Sequence, residues 1–347
     1  MTENTQVIGE KYSIVKKINQ GGMAEVFQAK DPGGKIWAVK FILPEYSTNQ
    51  HFIKMLIEEA KNTAVLKHPN ILRISSLGLD KASSRYYVVM EYIDGKNLWE
   101  VIARLIKQKK RFPQETALLI MQRILSGLYF AHTLKTYYNE GVNLVHLDVN
   151  PPNIMVSFDG KVKVADFGIA RARSLSYKKS EQKLEGLRGK FSYMSPEQAA
   201  GDAVDHQTDL YACGIMLWEM LTLTKCFQYK DPKEAIELIK KGEIVPPRRL
   251  NPDIPPRLEH IVLKALQRNK RKRYQNCQDF NYDLIRYHET AYPHRVHNNI
   301  KQFMATLWPD GSHLCAGVKP LPLDDETIKD KRTLMEKTPL FRKLFGW

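Results

Sequence analysis

Between residues 12 and 43, apolar and polar positions alternate in short runs, "YSIVKKI", "EVFQAK" and "IWAVKFI", broken by "QGG" and "DPGG". Period-two alternation with glycine-rich breaks predicts three antiparallel strands joined by tight turns. The period changes at 49–66, "NQHFIKMLIEEAKNTAVL", where apolar positions recur at helical spacing. This helix is predicted to stop before His68-Pro69, because the residue ahead of a proline disfavours helix. "RYYVVMEYI" (85–93) returns to a strand pattern, and from about residue 97 the chain is mostly helical, interrupted by short apolar segments near 144–147, 154–157 and 162–165. The pattern predicts a bilobal α+β fold with a β-rich N-terminal lobe and a mostly α-helical C-terminal lobe.

Near residue 290 the character shifts again. "HNNIKQFMATLW" reads as one further helix, "PDGSHLCAGVKPLPLDDETIKDKR" is polar and turn-rich, and "LMEKTPLFRKLFGW" sets Leu, Phe and Trp among basic residues. The expected role of that last segment is packing on the large lobe, with a docking peptide, an autoinhibitory segment and a membrane-surface anchor as alternatives. There is no internal repeat.

At 347 residues the chain can bury a sizeable core. It contains no apolar run near the roughly 18–20 residues that span a bilayer, and its start lacks the apolar core of a secretion signal. A cytoplasmic location is the expectation. Cys213, Cys226, Cys277 and Cys315 have neither metal-ligand spacing nor a disulfide framework, so reduced thiols are expected. The formal net charge of +15 is spread along the chain, with local runs at "KQKKRF" and "QRNKRKRY". No nucleic-acid module accompanies those runs, and solvated surface charge with no specific nucleic-acid partner is the expectation.

Candidate chemistry then concentrates at a few places. Gly21 and Gly22, between two predicted strands, would let backbone approach a phosphate that a side chain blocks, although two glycines in a hairpin also make an ordinary turn. Lys40 sits in the apolar strand "WAVK", where an ammonium group needs an anionic partner; Glu59 on the following helix is the candidate, against the alternative that both are surface residues. In "VHLDVNPPNIMV", Asp148 precedes Asn153 by five positions, with Pro151 and Pro152 stiffening the turn between them. Asp166 follows an apolar strand and precedes Phe-Gly. Its carboxylate and the Asn153 oxygen suit a hard cation, and Asp148 remains to accept a proton. Together these form a candidate magnesium-phosphate site.

In that order the motifs resemble the eukaryotic-like (Hanks-type) protein kinases, particularly their bacterial serine/threonine branch, over residues 12–290. "NQGGMAEV" is similar to the glycine-rich loop, "WAVK" to the lysine strand, "HLDVNPPN" to the catalytic loop, "DFG" to the magnesium motif and "SPE" to the end of the activation segment. "DLYACG" resembles the buried aspartate helix, and Arg273 matches the arginine that pairs with Glu197. The resemblance implies a protein-kinase-like fold, with residues 1–11 a leader, 12–93 the N-lobe, 94–290 the C-lobe, and 291–347 a C-terminal helix and tail.

It also implies a signalling enzyme that transfers the γ-phosphate of ATP, with Mg2+, to serine and threonine hydroxyls of protein substrates, autophosphorylation included. Lys40 would hold phosphates and Glu59 would orient it. Asp148 would be the catalytic base, and Asn153 and Asp166 the metal ligands. Ile18, Asn19, Gln20, Gly21, Gly22, Met23, Ala24, Glu25 and Val26 would cover the nucleotide. Met90 would guard the back of its pocket, and Glu91 and Tyr92 would offer backbone groups to adenine.

The chain departs from the pattern at Asn19 and Ala24 in the glycine-rich loop, and at Leu147, where an arginine would otherwise pair with a phosphorylated activation-loop residue. It also carries Asn150 in place of the catalytic-loop lysine and Lys190 in place of a threonine. Lys190 is therefore expected to supply the positive charge lost at Asn150, with a lysine on a surface loop as the alternative. An insertion at 133–143, "TLKTYYNEGVN", reads as a surface loop with no assigned function. A nucleotide-binding scaffold without transfer and a small-molecule phosphotransferase are the competing readings. Asn150 and Leu147 favour the scaffold, and the SPE segment with Arg273 speaks against the phosphotransferase.

Overall fold

A computed structural model describes residues 7–21, 23–134, 144–167, 191–293 and 299–309. The first lobe is an antiparallel sheet in the order β1-β2-β3-β4-β6-β5. Its strands are β1 (Val7–Ile8), β2 (Tyr12–Gln20), β3 (Ala24–Lys30), β4 (Ile36–Ile42), β5 (Ile74–Asp80) and β6 (Arg85–Glu91). The three predicted strands form as β2, β3 and β4, and the predicted helix forms as α2 (Gln50–Ala64), opened by the Asn49 side chain accepting from the Phe52 N–H.

Alternation along β4 decides which side chains face which way. Val39 and Phe41 join Ile8, Tyr12, Tyr87 and Val89 on the outer face, where Phe41 and Tyr87 stack at 5.7 Å. Ala38 and Ile42 face the other way, with Val88, Met90 and Leu56 of α2, and Lys40 shares their register. Three elements lie outside the predicted pattern: β1, a short α1 (Pro44–Ser47) and β5. Strand β1 falls within the expected leader, and its Ile8 is fully buried against the sheet.

The second lobe opens with β7 (Gly95–Asn97), which pairs with β8 (Ile154–Ser157) and β9 (Val162–Val164) in a small sheet. Asn97 starts α3 (Leu98–Lys107) with a capping box: its side chain accepts from the Glu100 N–H, and the Glu100 carboxylate accepts from the Asn97 N–H, both at 2.9 Å. Next come α4 (Gln114–His132), α5 (Pro196–Ala200) and α6 (Gln207–Thr222), in which every residue from Gln207 to Leu221 is buried. Helix α6 is thus an interior element packed on α4, which explains its apolar circumference. Helices α7 (Pro232–Lys241), α8 (Pro256–Ala265) and α9 (Cys277–Ala291) complete this lobe.

The lobes are stitched together where β9 meets residues 70–72. The Val164 N–H donates to the Asn70 carbonyl at 2.9 Å and the Leu72 N–H to the Val164 carbonyl at 2.8 Å. The expected further helix forms as α10 (Asn299–Leu307) and packs on α3 and α4 through Phe303, buried against Phe112 with ring centroids 5.2 Å apart. Trp308 follows it, edge-on to Phe158 and within cation-π reach of Lys96 and Arg104.

Candidate active site

The site is assembled from two loops that the second lobe holds from below. In the first, Val149 and Ile154 are buried on either side of Asn150–Asn153, and Pro151–Asn153 make a 3-10 turn begun by two prolines whose fixed φ suits it. Leu147 has φ +65°, a left-handed conformation costly for a non-glycine residue. Asp209 of α6 secures that geometry. Its carboxylate accepts from the backbone N–H groups of His146 and Leu147, both at 2.8 Å, and from His132 Nε2 at 2.8 Å.

Burial pushes the Asp209 carboxyl upward, but the hydrogen bond and charge of His132 outweigh it and leave the group below the ordinary aspartate range. His146 is fixed at both ring nitrogens. Nε2 donates to the Ala165 carbonyl at 2.9 Å and Nδ1 accepts from the Asp148 N–H at 3.3 Å, so the tautomer follows from its partners.

The second loop follows β9. The Ala165 N–H donates to the Asn153 carbonyl at 2.8 Å, tying the two loops directly. Ala165 and Phe167 are both buried, with Phe167 against the His146 ring at 4.6 Å, while Asp166 between them turns outward at φ +58°. Its Oδ1 accepts from Lys40 Nζ at 2.8 Å across 126 residues of chain. This ion pair is partly exposed, unlike Asp209, so both members remain accessible.

The two carboxylates of the site are dressed differently. Asp148 receives Asn150 Nδ2 on Oδ1 at 2.8 Å and Asn153 Nδ2 on Oδ2 at 3.4 Å; Asn153 Nδ2 also donates to the Asp148 carbonyl at 2.8 Å. With its amide nitrogen turned to Asp148, Asn153 can offer its side-chain Oδ1 to a cation. Among the described residues no cluster of three or more His, Cys, Asp or Glu could by itself hold a metal. Two protein oxygens, Asn153 and Asp166, fit a small hard cation that completes its shell with phosphate and water. The Lys40–Asp166 pair fits the same chemistry, since a phosphate suits the ammonium and a divalent cation the carboxylate.

The other predicted residues fall around this centre. Ile18, Asn19, Gln20, Gly21, Met23, Ala24, Glu25 and Val26 form the β2–β3 hairpin, in which Asn19 pairs with Val26 and Gln20 with Glu25. The Gly21 N–H closes the turn on the Ala24 carbonyl at 2.8 Å, and a Cβ there would meet nothing closer than 3.7 Å. The Glu25 carboxylate is taken by Lys17 and Arg85, so only its backbone would face a ligand. Met90 lines a cavity with Lys40, Leu56, Ala60, Thr63 and Phe167.

The Glu91 N–H donates to the Arg73 carbonyl at 3.0 Å, so a base contact from this residue would come from its carbonyl; Tyr92 follows it as the chain leaves β6. The Glu91 side chain holds Lys163 at 2.6 Å. Glu59 lies on α2, and its side chain is outside the described set, as are Gly22, Lys190, the 135–143 part of the insertion and the tail from 310. The described partner of Lys40 is therefore Asp166.

Beside the site, α5 begins at Ser195 with a capping box to Gln198, whose Nε2 reaches the Leu147 carbonyl at 3.3 Å. Glu197 is clamped by Arg273 in two bonds of 2.7 and 3.0 Å, both partners buried. Burial again raises the Glu197 carboxyl, and the Arg273 hydrogen bonds and charge bring it below its ordinary range. Burial pushes the thiols of Cys213, Cys226 and Cys277 up, in keeping with three unpaired, unreactive cysteines.

Residues that the sequence did not single out include His132, the imidazole partner of Asp209 77 positions away, and Lys163, 72 positions from Glu91. A buried lysine in "VKVADFG" was the available signal for the latter.

The protein kinase domain family matches residues 12–285. Tyrosine-protein kinase MasK of Myxococcus xanthus is 36% identical over 274 residues, covering 78% of this chain and 42% of that protein. Serine/threonine-protein kinase PrkC of Bacillus subtilis is 34% identical over 281 residues, 80% of this chain and 40% of that one. Serine/threonine-protein kinase PknB of Mycolicibacterium smegmatis is 33% identical over 291 residues, 83% and 44% respectively. The matched region thus spans less than half the length of these relatives. The solved kinase domain of Mycobacterium tuberculosis PknI superposes with a TM-score of 0.61 at 22% identity, over 82% of this chain and 99% of that one, a likeness of fold.

Proposed function

This chain belongs to the protein kinase family, in its bacterial eukaryotic-like branch, and from that premise we propose that it transfers the γ-phosphoryl group of ATP to serine and threonine hydroxyls of proteins. The observation that carries the reading is the junction of Lys40, Asp166, Asn153 and Asp148: one ion pair at 2.8 Å and one amide-dressed carboxylate, joined through the Ala165–Asn153 backbone bond.

In this reading the β2–β3 hairpin from Ile18 to Val26 lies over the nucleotide, with the Glu91–Tyr92 backbone at the base and Lys40 on the phosphates. Glu59 orients Lys40. Asn153 and Asp166 hold magnesium, which when bound neutralises charge on the phosphate oxygens. Asp148 aligns the acceptor hydroxyl and takes its proton as the new oxygen–phosphorus bond forms and the bond to the β–γ bridging oxygen breaks, leaving ADP. Positioning and charge do most of the work in such a transfer. Lys190 supplies, from the activation segment, a cation in place of the one absent at Asn150.

We assign this chemistry to residues 12–290, with 291–347 a helix and tail outside it, and place the protein in the cytoplasm. Among the described residues no helix is long and apolar enough to cross a membrane. A second reading, tyrosine as acceptor, is favoured by the similarity to MasK.

The test incubates the purified chain with magnesium and γ-labelled ATP, with and without a basic protein substrate, beside Asp148→Asn. Label on phosphoserine and phosphothreonine, lost in the variant, is the expected result. Label on phosphotyrosine would establish the second reading. Magnesium-dependent ATP binding without transfer would overturn both in favour of a nucleotide-binding scaffold.

A further inference from the structure

We infer that Asn150 is a positioning residue that aims the Asp148 carboxylate, a role that rests on the transfer reading above. The motif marks this position as one where a cation is missing. The structure gives the amide there a different employment. Its Nδ2 donates to Asp148 Oδ1 at 2.8 Å and to the Asp148 carbonyl at 3.0 Å, while its Oδ1 accepts from the Asn153 N–H at 3.2 Å.

One side chain therefore has two separable jobs. Its oxygen caps the 3-10 turn that carries Asn153, and its nitrogen fixes the rotation of a carboxylate. Asn153 Nδ2 approaches the other carboxylate oxygen, so an amide stands at each side of Asp148. Neutral donors restrict the carboxylate's orientation without cancelling its charge, which is what a group that must receive a proton along one line requires. A lysine there would bring an ammonium but leave the Asn153 N–H only the backbone carbonyl of position 150, which it also meets at 3.0 Å; an alanine would leave the same single acceptor and no donor to Asp148.

The two jobs separate in Asn150→Asp. An aspartate keeps the shape and caps a turn as well as asparagine does, so the Asn153 N–H keeps its acceptor. The donor to Asp148 is lost, and a second carboxylate meets the first. Other titratable groups around this loop are already engaged: His146 on the Asp148 N–H and Ala165 carbonyl, Asp209 on His132 and the loop backbone, and Asp166 on Lys40.

If Asn150 aims Asp148, Asn150→Asp and Asn150→Ala both lose about tenfold or more in kcat, with KM for ATP held within about twofold. The acidic limb of the Asn150→Asp profile also moves up by about one pH unit, because two adjacent carboxylates resist sharing full ionisation. Wild-type kcat with an unshifted limb in Asn150→Asp would show that the residue only caps the turn, and would overturn the inference.

A second readout does not depend on transfer. The Tm deficit of Asn150→Asp relative to wild type should grow between about pH 4 and pH 6, as both carboxylates become charged, and level off above that. A deficit independent of pH would mean that the two groups do not face each other. Were the wild type itself inactive, the kinase reading would fail while this thermal comparison still decided the contact.

Discussion

Asp209 and Asp166 lie at opposite edges of the same site and show how one side chain type serves two ends. Asp209 is buried, and three N–H donors from His132, His146 and Leu147 converge on it; it holds the His146–Asn153 loop in a backbone conformation that Leu147 would otherwise avoid. Asp166 is turned out of a buried flank and meets Lys40 in a partly exposed pair. A charge that must stay put is surrounded with donors and removed from water. A charge in a partly exposed pair keeps a contact that solvent, or a ligand, can compete for. The rigid half of the site lies below the His146–Asn153 loop, and the more open half faces the sheet.

The contrast is broken most severely by Asp209→Ala, which leaves two backbone N–H groups and His132 without their acceptor; a loss of about 3–5 kcal/mol in denaturant unfolding is expected. Arg273→Ala should follow at the lower end of about the same range, since it strands Glu197 as a buried unpaired carboxylate. Glu197→Gln, which keeps two polar contacts, should cost less in the same assay.

Both anchoring carboxylates also make the fold sensitive to acid. The Glu197 and Asp209 carboxyls lie below their ordinary values of 4.5 and 3.8 in the folded chain, so their contribution is complete above those values and is lost as pH falls through the folded ones. Tm should therefore drop steeply below about pH 4, and Arg273→Ala should flatten part of that drop. The smallest effect belongs to the open edge: Lys40→Met should change stability by less than about 1 kcal/mol while removing nucleotide-dependent activity, as read by Tm and label transfer side by side.

Much of this was legible in the sequence because β2, β3 and β4 are short apolar–polar runs cut by glycine-rich turns, although β4 buries apolar residues on both faces, and because α2 carries its apolar residues at helical spacing. Strand β5 was not legible. "ISSLGLD" interleaves Ser and Gly with its apolar residues, and its extended form comes from pairing with β6. The loop residues could be read from motif order, and Glu197 with Arg273 even as a pair. The Lys40–Asp166 contact could not, because the partner expected from local spacing was Glu59 and nothing local links positions 40 and 166. Asn150 shows the remaining limit: the sequence marks a missing cation, and only the hydrogen bonds show what the amide does there.

The most direct measurement follows label transfer and Tm together for wild type and Asp148→Asn. Asp148→Asn should change stability by less than about 1 kcal/mol, since the loop is held by Asp209 from below, with transfer down by about a hundredfold or more. Transfer that survives in Asp148→Asn, or a variant that loses its fold along with its activity, would contradict the separation of an anchoring carboxylate from a working one.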